Sequence, residues 1–320
     1  MRLLLLGGPR FLGRAIADTA LAAGHELTFF NRGQTSPELF PEVEKLHGDR
    51  ARDLEILAGR EWDAVIDTSG YLPSVVRSSA EALARSNRYC FVSSISVYAD
   101  FTGPVDEDSA LAPLGDHRND EVTNETYGPL KALCEEAVRE TFGERALVVR
   151  PGLIVGPHDP TGRFTYWPHR FLRGGEVLAP APPERNTQFV DVRDLGAWIV
   201  DLCQRDVGGT FNATHPGCTW LELLETCRTI AGTGSTITWV PDEFLLENEV
   251  GEWMELPLWI ADAAMAGADQ VDVSHALDEG LRFQPLANTV RGALEAASTT
   301  DAAGLTPERE AELLAAWHAR

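Results

Sequence analysis

The chain predicts an α/β fold, a doubly wound parallel sheet with a smaller C-terminal lobe, on three observations. The segment from Leu3 to Phe30 reads apolar strand, glycine turn, amphipathic helix, second strand. Short apolar runs then alternate with helical patterns as far as about residue 215, the rhythm of right-handed crossovers in a parallel sheet. Beyond that point the alternation loosens into more aromatic and acidic sequence.

The elements follow in order. Leu3 to Leu6 is an apolar block that stops at Gly7-Gly8. Phe11, Leu12, Ala15, Ile16, Ala20 and Leu21 recur at helical spacing, and Gly24 ends that helix. Glu26 to Phe30 is the second strand, closed by Asn31-Arg32-Gly33. Ala64 to Ile66, Tyr89 to Val92 and Ala146 to Val149 read as further strands, with helices at Pro73 to Arg85 and Tyr127 to Thr141. The stretch from Asp100 to Thr126 is a long acidic loop, and a loop of that length inside a compact domain points to function or mobility. Gln188 to Val190, a helix around Leu195 to Cys203, and Thr210 to Ala213 read again as sheet-domain elements. Thr219 and Glu222 form a capping box that opens a helix to Ala231. Pro307 to Arg320 is an amphipathic helix with Leu313, Leu314 and Trp317 on one side. The expected division is a sheet domain over 1–165 plus about 187–215, a lobe over 166–186 plus 216–298, and a terminal helix over 299–320.

Composition narrows the partners. The formal net charge is -22, from 49 acidic against 27 basic residues, a field that repels phosphate backbones and anionic membranes. Neither nucleic acid nor membrane is therefore an expected partner. Five cysteines, dispersed and without Cys-x-x-Cys spacing, argue for reduced thiols in a cytoplasmic protein rather than disulfides or a metal site. The Leu3–Leu6 run is too short for a signal segment or membrane span.

Three motifs carry chemistry. In Gly7-Gly8-Pro9-Arg10-Phe11-Leu12-Gly13, lying between a strand and a helix, glycines let backbone N–H groups approach a diphosphate at the positive helix N-terminus. This is the dinucleotide turn of a Rossmann-like fold. Nineteen positions past Gly13, where an acid holding an adenosine ribose is expected, stands Arg32 beside Asn31. A missing acid and a present cation suit a 2′-phosphate, so NADP(H) is preferred and NAD(H) remains open. Second, Ser93-Ser94-Ile95-Ser96-Val97-Tyr98 places hydroxyls at the carboxyl end of a parallel strand, facing the crevice where ligands bind; alone, three serines before a loop are ordinary turn chemistry. Third, Tyr127 and Lys131 stand four residues apart on one helix face. An ammonium beside a phenol lowers its pKa and makes an acid/base for a proton that moves with a hydride.

In this order the three motifs resemble the extended, atypical short-chain dehydrogenase/reductases, the group that includes NAD(P)-dependent epimerases and dehydratases. The resemblance covers roughly residues 1 to 215. It implies Tyr127 as acid/base, Lys131 as its helper and ribose ligand, and Ser94 as the hydroxyl on the substrate oxygen. It further implies Gly7, Gly8, Arg10, Phe11, Leu12 and Gly13 around the diphosphate, with Asn31 and Arg32 at the adenosine ribose. Asp49 would reach the adenine, Thr68, Ser69 and Gly70 would line the nicotinamide side, and Pro151 would flank the nicotinamide. Arg10 replaces the middle glycine of the family's turn, as in a Gly-Gly-x-Arg-Phe-Leu-Gly subgroup. Ile95 and Ser96 stand where sugar dehydratases carry Asp-Glu, which disfavours elimination of water.

The remaining substrate candidates are Tyr98, Trp167, His169, Gln188 and Arg193, for a small molecule, with a nucleotide sugar among the candidates. The resemblance implies an NADP(H)-preferring oxidoreductase acting at a ketone or secondary alcohol. A redox-neutral nucleotide-sugar epimerase and a non-catalytic RNA-binding or regulatory member are the alternatives. Relatives pair through the helix carrying Tyr127, where Ala132, Leu133, Ala137 and Val138 suit burial, so a homodimer is compatible with the resemblance.

Overall fold

The computed structural model describes residues 1–116, 118, 120–295 and 303–320. Its centre is a seven-stranded, all-parallel sheet in the order β11-β6-β5-β4-β1-β2-β3. These strands are β1 (Arg2–Leu6), β2 (Glu26–Asn31), β3 (Glu44–His47), β4 (Ala64–Asp67), β5 (Arg88–Val92), β6 (Ala146–Pro151) and β11 (Gly209–Ala213). Helices α1 (Leu12–Ala22), α2 (Pro73–Ala82), α3 (Tyr127–Phe142) and α5 (Val192–Gln204) cover it.

The unbroken apolar run in β1 follows from burial on both faces. Leu3 and Leu5 join the core beneath α1 and α5, with Ile16, Ala20, Leu195 and Ile199. Leu4 and Leu6 point the other way, into the core with Val76 and Ala80 of α2 and Cys134, Ala137 and Val138 of α3. The chain winds from β1 out to β3 on one side, then crosses back to β4 and runs out through β5, β6 and β11 on the other. The direction reverses between β1 and β4, and the crevice beyond their carboxyl ends is where such folds bind ligands.

The rest of the chain builds a second apolar cluster. It contains β7 (Leu153–Val155), α4 (Tyr166–Leu172), β8 (Glu176–Pro180), α6 (Trp220–Ala231), β13 (Thr236–Val240), α7 (Asp242–Glu247), α9 (Leu286–Glu295) and α10 (Pro307–His318). The smaller pieces are β9 (Asn186–Thr187), β10 (Phe189–Asp191), β12 (Cys218–Thr219), β14 (Glu252–Trp253), β15 (Leu256–Pro257) and α8 (Ser274–Asp278). One expectation is corrected: the strand near Gln188–Val190 does not join the central sheet but pairs with β7 as β10. The capping box of α6 forms as read, Thr219 Oγ1 accepting from the Glu222 N–H at 3.1 Å. Helix α10 is fastened by Glu310, whose Oε1 accepts from the Leu178 N–H at 3.1 Å and whose other oxygen pairs with buried Arg170.

A buried charge cluster that sequence reading missed ties β4 to β5 and to the segment after β3. Asp67, at the end of β4 and fully buried, takes both outer nitrogens of the Arg50 guanidinium at 2.7 Å, and the Tyr89 hydroxyl donates to it at 2.9 Å. Burial alone would raise the Asp67 pKa; the Arg50 charge and hydrogen bonds outweigh it and hold the carboxyl below its usual range. Removing one partner of such a pair leaves an uncompensated buried charge. Asp67→Asn is therefore expected to cost about 3–5 kcal/mol of unfolding free energy in urea denaturation, and a loss under about 1 kcal/mol would show the cluster to be dispensable.

Candidate active site

The carboxyl ends of β1, β4, β5 and β6, with the start of α3, surround a cleft of about 660 Å³. Gly8, Arg10, Phe11, Leu12, Gly13, Thr68, Ser69, Ser94, Tyr127, Lys131 and Pro151 all line it. A second hollow of about 310 Å³ is lined by Gly7, Asn31, Arg32, Asp49 and, shared with the cleft, Gly8, Ser69 and Tyr71. The two hollows together hold the expected cofactor residues other than Gly70, which lies behind Lys131.

The glycine turn is shaped by close approach. A Cβ on Gly13 would sit 2.2 Å from the Gly8 carbonyl oxygen, and Gly7, at φ +141°, would meet Thr68 Oγ1 at 2.5 Å. Phe11 takes φ 46° to start α1. Asn31 Nδ2 donates to the Gly7 carbonyl at 3.0 Å and its Oδ1 accepts from the Gly33 N–H at 2.8 Å, so Asn31 braces the turn. Arg32 is exposed at the edge of the smaller hollow and makes no hydrogen bond or ion pair among the described residues. Asp49 lines the same hollow with its Oδ1 accepting from the Ala51 N–H at 2.9 Å.

The candidate residues Tyr127, Ser94 and Lys131 are brought together by one tight contact. A Cβ on Gly128 would lie 2.0 Å from the Ser96 carbonyl oxygen, so only glycine lets α3 approach the turn after β5 this closely. That approach brings Tyr127 beside Ser94. Ser94 donates to Ser96 Oγ at 3.0 Å and accepts from the Ser96 N–H at 3.1 Å. Lys131 is buried, its Nζ donating to the Gly70 and Val92 carbonyls at 2.8 and 2.6 Å and lying 4.2 Å from the centroid of the Phe91 ring.

The electrostatics differ from the expectation drawn from the Tyr-x-x-x-Lys spacing. The Tyr127 phenol lies above its ordinary pKa: burial and the nearby Tyr71 hydroxyl raise it, against smaller opposing effects of Ser94 and Arg163. Lys131 does not lower it here, because its ammonium is turned into two backbone carbonyls. Burial pulls Lys131 down to about 8, partly resisted by Asp67.

The five substrate candidates Tyr98, Trp167, His169, Gln188 and Arg193 are not among the residues lining the cleft. Tyr98 is buried, donating to Asn212 Oδ1 at 2.6 Å and accepting from Arg150 at 3.0 Å. Trp167 is fully buried and donates to the Pro257 carbonyl at 3.0 Å; His169 is exposed on α4. Gln188 holds Val271 through both its amide atoms. Arg193 is bidentate to Asp191 at 3.0 and 2.8 Å. All but the exposed His169 are engaged in buried or paired contacts, as their mixed polar surroundings in the sequence did not reveal. The loop from Asp100 to Thr126 also lines no part of the cleft among its described residues; Val105 instead bridges to Val271. Sequence reading missed Tyr71, Pro160, Thr161, Arg163 and Trp253, all of which line the cleft. Tyr71 directly follows the Thr68–Gly70 motif, a signal that was available; Trp253 comes from 90 residues beyond Arg163 and carries no local mark.

Fold and site together give a Rossmann-like α/β sheet whose Ser94, Tyr127 and Lys131 line one cleft, an arrangement that resembles the extended short-chain dehydrogenase/reductases. Residues 74–213 match the model of the NAD dependent epimerase/dehydratase family, the span from α2 through β11 that holds Ser94, Tyr127 and Lys131, so the resemblance read from the motifs stands. Among curated proteins, chloroplast stem-loop binding protein of 41 kDa b from Arabidopsis thaliana is 26% identical over 222 residues, covering 63% of this chain. The chain spans about half the length of that relative, 54%. Solved structures share the fold. A putative epimerase from Burkholderia cenocepacia superposes with a TM-score of 0.69 at 20% identity, covering 92% of this chain and 97% of the other. The enzyme WbmH from Bordetella bronchiseptica, in complex with NAD+, gives 0.68 at 17% identity over 92% and 97%. UDP-glucose 4-epimerase from Thermotoga maritima, with UDP-glucose, gives 0.66 at 16% identity over 93% and 100%.

The Lys131 environment makes a signed pH prediction. Its folded pKa of about 8 lies below the ordinary value of 10.5, so between those values the unfolded chain binds more protons and stability rises with pH; the penalty is fully present below about pH 8. Urea unfolding of the wild type relative to Lys131→Met is expected to improve by about 2–3 kcal/mol between pH 7.5 and 10. Parallel profiles for the two proteins would contradict the burial argument.

Proposed function

We propose that the protein is an NADP(H)-preferring oxidoreductase that transfers a hydride at a ketone or secondary alcohol, with Tyr127 as the acid/base. The observation that carries this reading is the convergence of Ser94, Tyr127 and Lys131 on one cleft with the glycine turn. The family match, described as NAD dependent, supports the cofactor class.

The residues fit a dinucleotide. The turn closes so tightly at Gly7 and Gly13 that any side chain there would displace the backbone lining the cleft, and the start of α1 presents unpaired N–H groups to an anion. Thr68 and Ser69 line the same wall, and Lys131 keeps one donor free for a ribose hydroxyl after its two carbonyl bonds. Bound there, a nicotinamide ring supplies or accepts the hydride.

Tyr127 gives its proton to the substrate oxygen in reduction and takes it back in oxidation. The Ser94 hydroxyl stands beside it to donate a hydrogen bond to the same oxygen and share the developing charge. A phenol held above its ordinary pKa favours the protonated form, the donor needed for reduction. In the oxidative direction, positive charge close to the phenol is needed to favour phenolate.

The preference for NADP(H) rests on Arg32, exposed and unpaired at the adenosine hollow, with no acid in the ribose-holding position at the end of β2. Arg32→Ala should weaken NADPH binding about 10- to 100-fold, on the order of the 1.4–2.8 kcal/mol expected of a charge-assisted phosphate contact, and leave NADH nearly unchanged in fluorescence titrations. Tighter binding of NADH than NADPH by the wild type would refute it. Tyr127→Phe should keep cofactor affinity and lose turnover by about 10²-fold or more; near-full turnover would remove Tyr127 from the mechanism. Redox-neutral epimerisation of a nucleotide sugar uses the same first step, and product stereochemistry with no net NADPH loss distinguishes it.

A second reading follows from the Arabidopsis relative, whose name states stem-loop binding. Mobility-shift titration with an RNA hairpin at 50 and 200 mM salt tests it. The net charge of -22 favours no binding; submicromolar, salt-sensitive binding without any cofactor effect would favour the second reading.

A further inference from the structure

Three cations line the main cleft, Arg10, Lys131 and Arg163, and among its described lining residues there is neither an aspartate nor a glutamate. In a chain with a net charge of -22 that is a local reversal of sign. Two of the cations have evident duties. Arg10 belongs to the glycine turn, and Lys131 is bound to two carbonyls. Arg163 is left over.

Arg163 lies in the loop after β7, its guanidinium 4.9 Å from the centroid of the Trp253 ring. Its Nε is buried without a hydrogen-bond partner, and the guanidinium makes no ion pair among the described residues. Asp159 is nearby, yet its Oδ1 accepts from the Thr161 N–H at 2.8 Å and its Oδ2 is buried and also unpartnered. A half-buried arginine whose Nε is shut away from water without a partner carries a desolvation cost, so such an arrangement is expected where a ligand completes it. Stacking on an indole face fixes the plane of the guanidinium and leaves its edge free, the geometry that grips two oxygens of one anion. Arg163 is close enough to Tyr127 for its charge to act on the phenol. The receptor and the proton donor therefore share one cleft.

We propose that Arg163, held by Trp253, is the specificity-determining residue that binds an anionic oxygen group of the substrate, carboxylate or phosphate, near the carbon that reacts at Tyr127. The inference deepens the oxidoreductase reading and rests on it. The substrate class is thus an oxo or hydroxy acid, or a phosphate ester of a ketone or alcohol. The Asp159 carboxyl, whose pKa burial raises, does not compete for the cation in the geometry observed.

The test uses the whole protein saturated with NADPH and two matched pairs of probes: acetoacetate against methyl acetoacetate, and dihydroxyacetone phosphate against dihydroxyacetone. Melting temperature reads binding, and NADPH oxidation reads KM and kcat. One anionic probe should be preferred over its neutral partner by at least 10-fold in KM or apparent affinity; which pair responds separates carboxylate from phosphate. Arg163→Gln should erase that preference through KM, Arg163→Lys should restore part of it, and both should keep the NADPH-induced rise in melting temperature, which also shows that they fold. Equal binding within both pairs, no binding of either anion, or a preference that survives in Arg163→Gln overturns the proposal. A wild type whose melting temperature does not respond to NADPH or NADH fails earlier, at the dinucleotide reading, and takes this proposal with it.

Discussion

The ammonium of Lys131, buried between the carbonyl groups of Gly70 and Val92, is the constraint around which the cleft is arranged. One of those carbonyls ends β5 and the other lies in the turn just after β4, and the lysine comes from the helix that follows a long loop. Closing that link requires α3 to lie almost against the turn after β5, which Gly128 permits. Tyr127 then has nowhere to go but beside Ser94. A single buried charge thus sets the spacing of two strands, one helix and the proton donor, and it does so at a cost visible in its depressed pKa. Burial of this kind is expensive unless the hydrogen bonds are complete.

The Arg50, Asp67 and Tyr89 cluster has the complementary task. It sits behind the crevice on the strands that border the switch of direction, and Arg50 also reaches Ser69 Oγ at 3.3 Å. The cleft wall is thereby joined to the centre of the sheet by charge-assisted bonds. Rigid backing of this sort keeps a glycine turn, which has little side-chain packing of its own, in one geometry.

Sequence made the sheet domain legible because its signals are local. Leu3–Leu6, the glycine turn and the helical spacing of Phe11 to Leu21 each specify structure within a few residues, and every one of those elements forms with ends shifted by one or two positions. The Ser94, Tyr127 and Lys131 set was readable because order along the chain stood in for proximity. The second-lobe candidates were not, since exposure and burial there depend on partners far away: Gln188 is consumed by Val271, and Arg193 by Asp191. Nor does spacing reveal where an ammonium points. Lys131 is four residues from Tyr127, yet turns inward to the strand ends. Trp253 and Arg163 meet only because two separate segments fold over the same opening.

That last meeting has a consequence for how such a protein diversifies. The glycine turn, Ser94, Tyr127 and Lys131 lie between β1 and β6, whereas the indole of Trp253 arrives on a short β14 segment, with its backbone at φ 65°, from deep in the second half of the chain. Substitutions or small insertions in that segment can alter what the cleft accepts without disturbing the sheet, the turn or the buried lysine. The Ser94, Tyr127 and Lys131 set and the Trp253 wall of the cleft are therefore inherited on separate stretches of polypeptide, free to change at different rates.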